Sequence, residues 1–273
     1  MKLSEIYLYP IKSLSGIKVS KAKVTLRGLE NDRRFMLTTP DGTFLTQRNI
    51  RQMALIRIDL IGPDMKIWHH HFPDDYLLIP LKPTDFQGTQ ATEVWGYPCQ
   101  GSILQTPVNE WFSKKLNTPC QLIYMTDDSL RPIDEKYRKL GEIVSFADGY
   151  PYLLLGQASM NDLNNKLASP VHINRFRANL VFTGGQPFEE DNWKYFTIGD
   201  LTFRGVKPCA RCQVPNINQE TAVIEKEPNK TLATYRKLAK NKIYVGMNVC
   251  WEKELSKGLE TIEVGNEVKL VQS

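Results

Sequence analysis

Arg204–Ala222, RGVKPCARCQVPNINQETA, carries an apolar strand into Lys207-Pro208 and then into two cysteines with an arginine between them. Pro208 stiffens the approach and has no N–H to donate, which suits the point where a strand gives way to a site loop. Arg211 directly precedes Cys212, with Lys207 and Arg204 close upstream. Fixed cations favour a thiolate, and a thiolate is a soft-metal ligand or a nucleophile. The same Cys-x-x-Cys spacing also suits half a zinc site or a thioredoxin-like pair, so spacing alone leaves those readings open.

The 273 residues can bury a substantial core and suit two domains. With 41% hydrophobic and 24% charged residues the composition is that of an ordinary globular protein, without repeats or low-complexity tracts. Leu3-Ser4-Glu5-Ile6 is neither the apolar run of a signal peptide nor an Arg-rich presequence. No apolar stretch approaches the roughly 20 residues that span a bilayer. Five cysteines, three of them standing alone (Cys99, Cys120, Cys250), fit a reducing cytoplasm better than a disulfide framework. The expectation is therefore a cytoplasmic protein with no membrane partner. A net charge of +5 does not argue for nucleic acid; a cluster of cations facing a small anion explains it equally well.

The first third reads as short strands with turn punctuation. Leu3–Tyr9 stops at Pro10. Ile17 and Val19 face one way, and Ala22, Val24 and Leu26 continue one step out of phase, which predicts a bulge. Pro40-Asp41-Gly42 predicts a turn between Arg34–Thr39 and Thr43–Gln47. Ala54, Ile56, Ile58 and Leu60 alternate as a half-buried strand, and such strand density points to a small β-barrel or sandwich. His69-His70-His71 looks like a metal tract, but successive strand residues alternate faces, so a surface strand end is the simpler reading. Thr106-Pro107 predicts a helix start, followed by a stripe of Val108, Trp111, Phe112 and Leu116.

Asn117-Thr118-Pro119 ends that helix and sets a domain boundary, giving domains 1–119 and 120–273. Leu130–Leu140 reads as a solvated loop over or beside the site. Met160, Leu163 and Leu167 give a helix its buried stripe. Arg175–Phe182, RFRANLVF, if extended, projects Arg175, Arg177 and Asn179 from one face. That face is a seat for a phosphate or polar heterocycle, or else a salt-bridged solvent face paired with Glu189, Glu190 and Asp191. Thr231–Lys240 reads as a short helix with Leu232, Tyr235 and Leu238-Ala239 inward. Ile262–Val264 and Val268–Val271 read as a closing hairpin around Gly265-Asn266.

Taken in order, YPIKS (Tyr9–Ser13), NDRRFML (Asn31–Leu37), PDGTFLTQR (Pro40–Arg48), TEVWG (Thr92–Gly96), SFADGYPYLLL (Ser145–Leu155), RFRANLV (Arg175–Val181), EEDNWKYFTIGD (Glu189–Asp200) and VKPCARC (Val206–Cys212) resemble the MOSC family. That family's domain is shared by molybdenum-cofactor sulfurase C-termini and amidoxime-reducing components, and the chain looks most like its bacterial YcbX-type members. The resemblance implies an α+β, mainly β fold: an N-terminal β-barrel-like domain followed by a MOSC β-barrel with short flanking helices.

It further implies a molybdenum–molybdopterin cofactor whose metal is held by Cys212, the catalytic and metal-ligating residue. Lys12, Ser13, Arg33, Arg177 and Asn179 would grip its pterin and phosphate, and Ser145, Asp148, Lys207 and Arg211 lie in matching motifs. The implied activity is a molybdenum-dependent reductase that removes oxygen from small N-hydroxylated compounds. No segment supplies an iron–sulfur or a pyridoxal-phosphate domain, so electrons would come from a separate ferredoxin- or flavoprotein-type donor. A second implication is a molybdenum-cofactor or sulfur-carrier module using a cysteine persulfide, without reductase activity. Val214–Asn218 stands where related reductases show a TVDP- or TVSP-like stretch, and an amide there cannot serve as a base in place of a carboxylate.

Overall fold

The computed structural model describes residues 1–139 and 141–271 and is mainly β. Its largest element is an eight-stranded sheet in the order Val268–Leu270, Tyr195–Ile198, Leu201–Ala210, Tyr244–Trp251, Tyr152–Gly156, Leu180–Thr183, Lys2–Leu8, Ile17–Val19. Neighbours are antiparallel except Tyr152–Gly156 and Leu180–Thr183, whose crossover carries the helix Gln157–Asn164. The first two strands of the chain therefore complete a sheet built otherwise from its second half. Leu3 pairs with Phe182 and Ile6 with Leu180. Leu3, Ile6, Leu154, Leu180, Phe182, Phe203 and Val249 bury their side chains in one core.

A four-stranded sheet (Phe35–Thr38, Gln121–Tyr124, Tyr97–Ile103, Gly88–Val94) and a three-stranded one (Ile56–Ile61, Asp64–His69, Phe72–Pro80) enclose a second core. Asp64–His69 alternates strictly: Met65, Ile67 and His69 point inward. Period-2 burial of this kind fixes register, because a one-residue slip would turn all three side chains to water. Lys21–Thr25 lies between Thr261–Glu263 and Gly28–Leu29 in a small fourth sheet.

Several expectations are met. The Pro40-Asp41-Gly42 turn closes through Thr39 N–H to Thr43 O and Gly42 N–H to Thr39 O, with Gly42 at φ +90°. The helix Thr106–Leu116 buries Trp111, Phe112 and Leu116 and ends at a left-handed Asn117. It differs at its start: Gln105 occupies the N-cap without a side-chain bond, and the Thr106 hydroxyl turns to Gln87 Oε1.

Others are corrected. The phase change after Val19 is not a bulge; the chain switches sheets at Ser20, from the edge of Lys2–Leu8 to that of Thr261–Glu263. The closing segments are no hairpin either. The turn at Gly265 sends Thr261–Glu263 to Lys21–Thr25 and Val268–Leu270 to Tyr195–Ile198. Arg175–Phe182 is not one strand. His172 Nδ1 accepts from Asn174 N–H and caps a 3-10 turn over Ile173–Phe176, Arg177 is left-handed, and extension begins only at Leu180. Side chains from elsewhere hold that bend by its carbonyls, Arg211 Nη2 at Phe176 O and Arg33 Nη2 at Arg177 O.

The helix Asn229–Tyr235 buries Leu232 but stops early, leaving Leu238 50% exposed beyond it. Leu130–Lys139 is not simply solvated: Arg131 and Ile133 are buried. Leu140, the last residue of that expected loop, lies outside the described residues. His69 is buried at its strand end, and no group of three metal-ligating side chains occurs among the described residues.

Candidate functional site

One cleft gathers segments that the sequence scatters over more than two hundred residues. Lys12, Ser13, Arg33, Arg48, Asp148, Arg177, Asn179, Cys209, Arg211 and Cys212 all line it. The strand Lys2–Leu8 delivers the chain to Tyr9, whose buried ring lies against two of the cleft's guanidiniums. The Arg33 guanidinium lies 4.4 Å and that of Arg177 4.3 Å from its centroid. Stacking on an aromatic face holds a guanidinium while leaving its in-plane donors available. Ser13, Arg33 and Arg177 each take positive φ (+66°, +48° and +56°). Three non-glycine residues in the sparsely allowed left-handed region at one cleft are held there by the surrounding contacts.

Those contacts are specific. Arg33 Nη1 donates to Asp32 Oδ2 (2.5 Å) and Asn179 Oδ1 (2.8 Å), and Nη2 to Arg177 O (3.1 Å). Asn179 Nδ2 donates to Tyr7 O and Asp32 Oδ1, so this buried amide orients Arg33 and is itself saturated. Arg177 Nη1 donates to Leu14 O at 2.6 Å, and its Nη2 is buried without a partner. Burial pulls the Arg177 pKa down to about 10, aided by the like charge of Arg33 and opposed by Tyr9. Burial likewise pushes the Tyr9 phenol up to about 12 against both guanidiniums.

Lys12 is buried and donates to Phe146 O (2.8 Å) and Asp148 Oδ1 (2.6 Å). Burial lowers its pKa and Asp148 partly restores it. The strand Leu201–Ala210 runs through Pro208, which keeps its place opposite Met247, and ends just before Arg211. Arg211 Nη1 donates to Cys209 Sγ (3.0 Å) and Nη2 to Phe176 O (2.6 Å), while its Nε is buried and unpaired. Cys212 is exposed at the cleft, with Val214 N–H 3.5 Å from its sulfur and Asn229 Nδ2 holding its carbonyl at 2.8 Å.

Two of the residues singled out in the sequence are not among the cleft lining. Ser145 is fully buried below it, and Lys207 Nζ sits over the rings of Tyr137 (5.1 Å) and Tyr150 (4.9 Å). Asn216 and Asn218 serve the loop that follows. Asn216 Oδ1 accepts from Asn229 N–H, and Asn218 Nδ2 donates to Glu225 Oε1, which also pairs through Oε2 with Arg175.

Sequence reading passed over Tyr9, Asp32, Arg48 and Trp95, although each stands inside or beside a motif it had marked. Arg131 carried no such signal. This buried arginine donates to Ser145 O, Ala147 O and Asp148 O, and at 3.3 Å to Val94 O in the second sheet.

A mainly β chain with a cation-lined cleft and an exposed cysteine at its edge defines the class. The chain belongs to the MOSC family: residues 141–269 match the MOSC domain and residues 1–119 the MOSC N-terminal beta barrel domain. It is 30% identical over 255 residues to mitochondrial amidoxime reducing component 2 of Bos taurus, covering 86% of this chain and 72% of that protein. Mitochondrial amidoxime-reducing component 1 of Homo sapiens is 28% identical, over 98% of this chain and 82% of the relative. Molybdenum cofactor sulfurase of Oryza sativa subsp. japonica is 31% identical over 97% of this chain, which spans only 35% of the sulfurase. The function is accordingly related to the molybdenum cofactor. Among the described residues no helix is long and apolar enough to cross a membrane.

Proposed function

We propose that the chain is a molybdenum-cofactor-binding oxidoreductase that reduces N-hydroxylated compounds, taking electrons from a separate ferredoxin- or flavoprotein-type donor. The observation that carries this reading is the convergence of Lys12, Arg33, Arg177 and Arg211 on one cleft whose lining includes the exposed thiol of Cys212. The residues fit the group. An anionic pterin phosphate calls for fixed cationic donors, and guanidinium nitrogens of Arg177 and Arg211 are buried without partners. A soft metal calls for a thiolate.

Cys212 would hold the metal, and Lys12, Ser13, Arg33, Arg177 and Arg211 would hold the pterin and its phosphate. When bound, the cofactor supplies two-electron redox chemistry. The net reaction consumes two electrons and two protons, breaks the N–O bond and releases water. The chain's own part is to bind and orient: Asp148 fixes Lys12, Asn179 and Asp32 fix Arg33, and Tyr9 keeps two like charges at one ring.

The decisive measurement is molybdenum and pterin content after expression in a host that makes molybdopterin, comparing wild type with Cys212→Ser. The reading expects near-stoichiometric molybdenum in wild type and its loss in the variant, together with turnover of benzamidoxime by wild type under a chemical reductant. Pterin bound without metal dependence on Cys212 would favour a sulfur-carrier role, and bound zinc in place of both would overturn the proposal.

A further inference from the structure

Arg48 stands apart from the other cations of the cleft. Lys12 meets Asp148, Arg33 meets Asp32, and Arg177 and Arg211 donate to the carbonyls of Leu14 and Phe176. Among the described residues the Arg48 guanidinium meets no carboxylate and donates no hydrogen bond; it lies over the Trp95 ring, 3.9 Å from centroid to Cζ. Only its backbone is tied, by Thr46 Oγ1 at its N–H and by Gln213 Nε2, 3.5 Å from its carbonyl. Gln213 follows Cys212, so Arg48 lies beside the cysteine loop and lines the same cleft.

Trp95 is itself placed at a cost. It occupies a two-residue turn with Gly96 between Gly88–Val94 and Tyr97–Ile103, at φ +57°. A bulky aromatic residue is disfavoured in that region. Its ring remains 43% exposed, edge-on to Phe44 at 5.2 Å, with Nε1 3.2 Å from Asp148 Oδ1. A guanidinium stacked by one face on an indole keeps its planar fork open, and that fork matches a carboxylate bidentately.

We infer that Arg48, positioned by Trp95, selects N-hydroxylated substrates that carry a carboxylate; the inference rests on the reductase reading above and names its substrate class. The test measures equilibrium binding of 4-carboxybenzamidoxime and neutral benzamidoxime by calorimetry to the molybdenum-loaded wild type, Arg48→Gln and Arg48→Lys. Molybdenum and pterin content are determined on each sample. Wild type should bind the carboxylated compound about tenfold more tightly than the neutral one, the worth of one charge-assisted contact. Arg48→Gln should bring the two within about twofold of each other, Arg48→Lys should keep part of the preference, and cofactor content should not change.

Equal affinities in wild type, or a preference that survives in Arg48→Gln, would overturn the inference. So would loss of pterin from both variants, which would assign Arg48 to the cofactor. If Arg48→Gln fails to fold, an undiminished preference in Arg48→Lys also counts against the fork. Turnover of neither compound alongside an intact binding preference would count against the reductase reading alone.

Discussion

At the scale of single residues, the cleft is a problem of like charges held close together. Arg33 and Arg177 flank one tyrosine ring, and burial favours neutral forms of both Arg177 and Lys12. Such an arrangement is costly until an anion enters it. Arg177→Met should therefore cut pterin retention through gel filtration by about tenfold or more, with the fold intact by circular dichroism. Retention equal to wild type would show that the buried, unpaired Nη2 has no part in holding the anion.

Asn179 is expected to act one step back. Its side chain accepts from Arg33 and donates to Tyr7 O and Asp32, so its effect on binding passes through the direction in which Arg33 points.

At the scale of elements, buried polar groups tie distant segments to one another. Arg131 binds three carbonyls of Ser145–Asp148 and one of the strand Gly88–Val94, and so fixes the loop that in turn holds Lys12. Arg131→Met should lower stability by about 3 kcal/mol, since it leaves several buried acceptors unpaired. Urea midpoints check this, and a change below about 0.5 kcal/mol would contradict it.

Glu190 plays a comparable part at the start of the helix Gln157–Asn164, accepting from Gly156 N–H (3.1 Å) and from Ser159 Oγ (2.9 Å). Burial raises its pKa, against those bonds. A carboxyl raised in the folded state contributes its stability fully below its unfolded value of about 4.3 and loses it as pH rises through the folded value. Relative to Glu190→Gln, wild type should thus lose stability as pH rises above about 4, measured as the difference in urea midpoints. A difference that is flat, or that grows with pH, would refute the assignment.

At the scale of the whole molecule, the two family segments are not separable pieces of sheet. Lys2–Leu8 and Ile17–Val19 complete the eight-stranded sheet beside Leu180–Thr183, and Gln47 and Gln219 exchange reciprocal amide bonds of 3.1 and 3.0 Å. Cutting at the expected boundary would bare the edge of Leu180–Thr183 and remove Leu3, Ile6, Leu8, Val24 and Leu29 from its core. Residues 120–273 expressed alone should fail to give protected amides in hydrogen exchange, and residues 1–119 supplied in trans should restore them. Full protection of the isolated segment would show that it folds by itself.

Much of this was legible in the sequence, and for a definite reason. Strand alternation, the Pro-Asp-Gly turn and the stripe of Trp111, Phe112 and Leu116 are local patterns, and local patterns survive in a linear text. The clustered motifs that resemble the MOSC family were equally legible, and eight of the ten site residues named from them line one cleft. What the sequence could not contain is which distant groups satisfy one another. Arg131 reads as one more charge in a polar loop until four carbonyls close around it. Arg175–Phe182 alternates like a strand, but Arg211 and Arg33 from distant segments take the carbonyls of Phe176 and Arg177 at a bend where Arg177 is left-handed. Arg48 resembles any exposed arginine until the turn between Gly88–Val94 and Tyr97–Ile103 brings Trp95 beneath it. Local periodicity decided which residues face inward; long-range packing and hydrogen bonding alone decided which charges meet and which are left open.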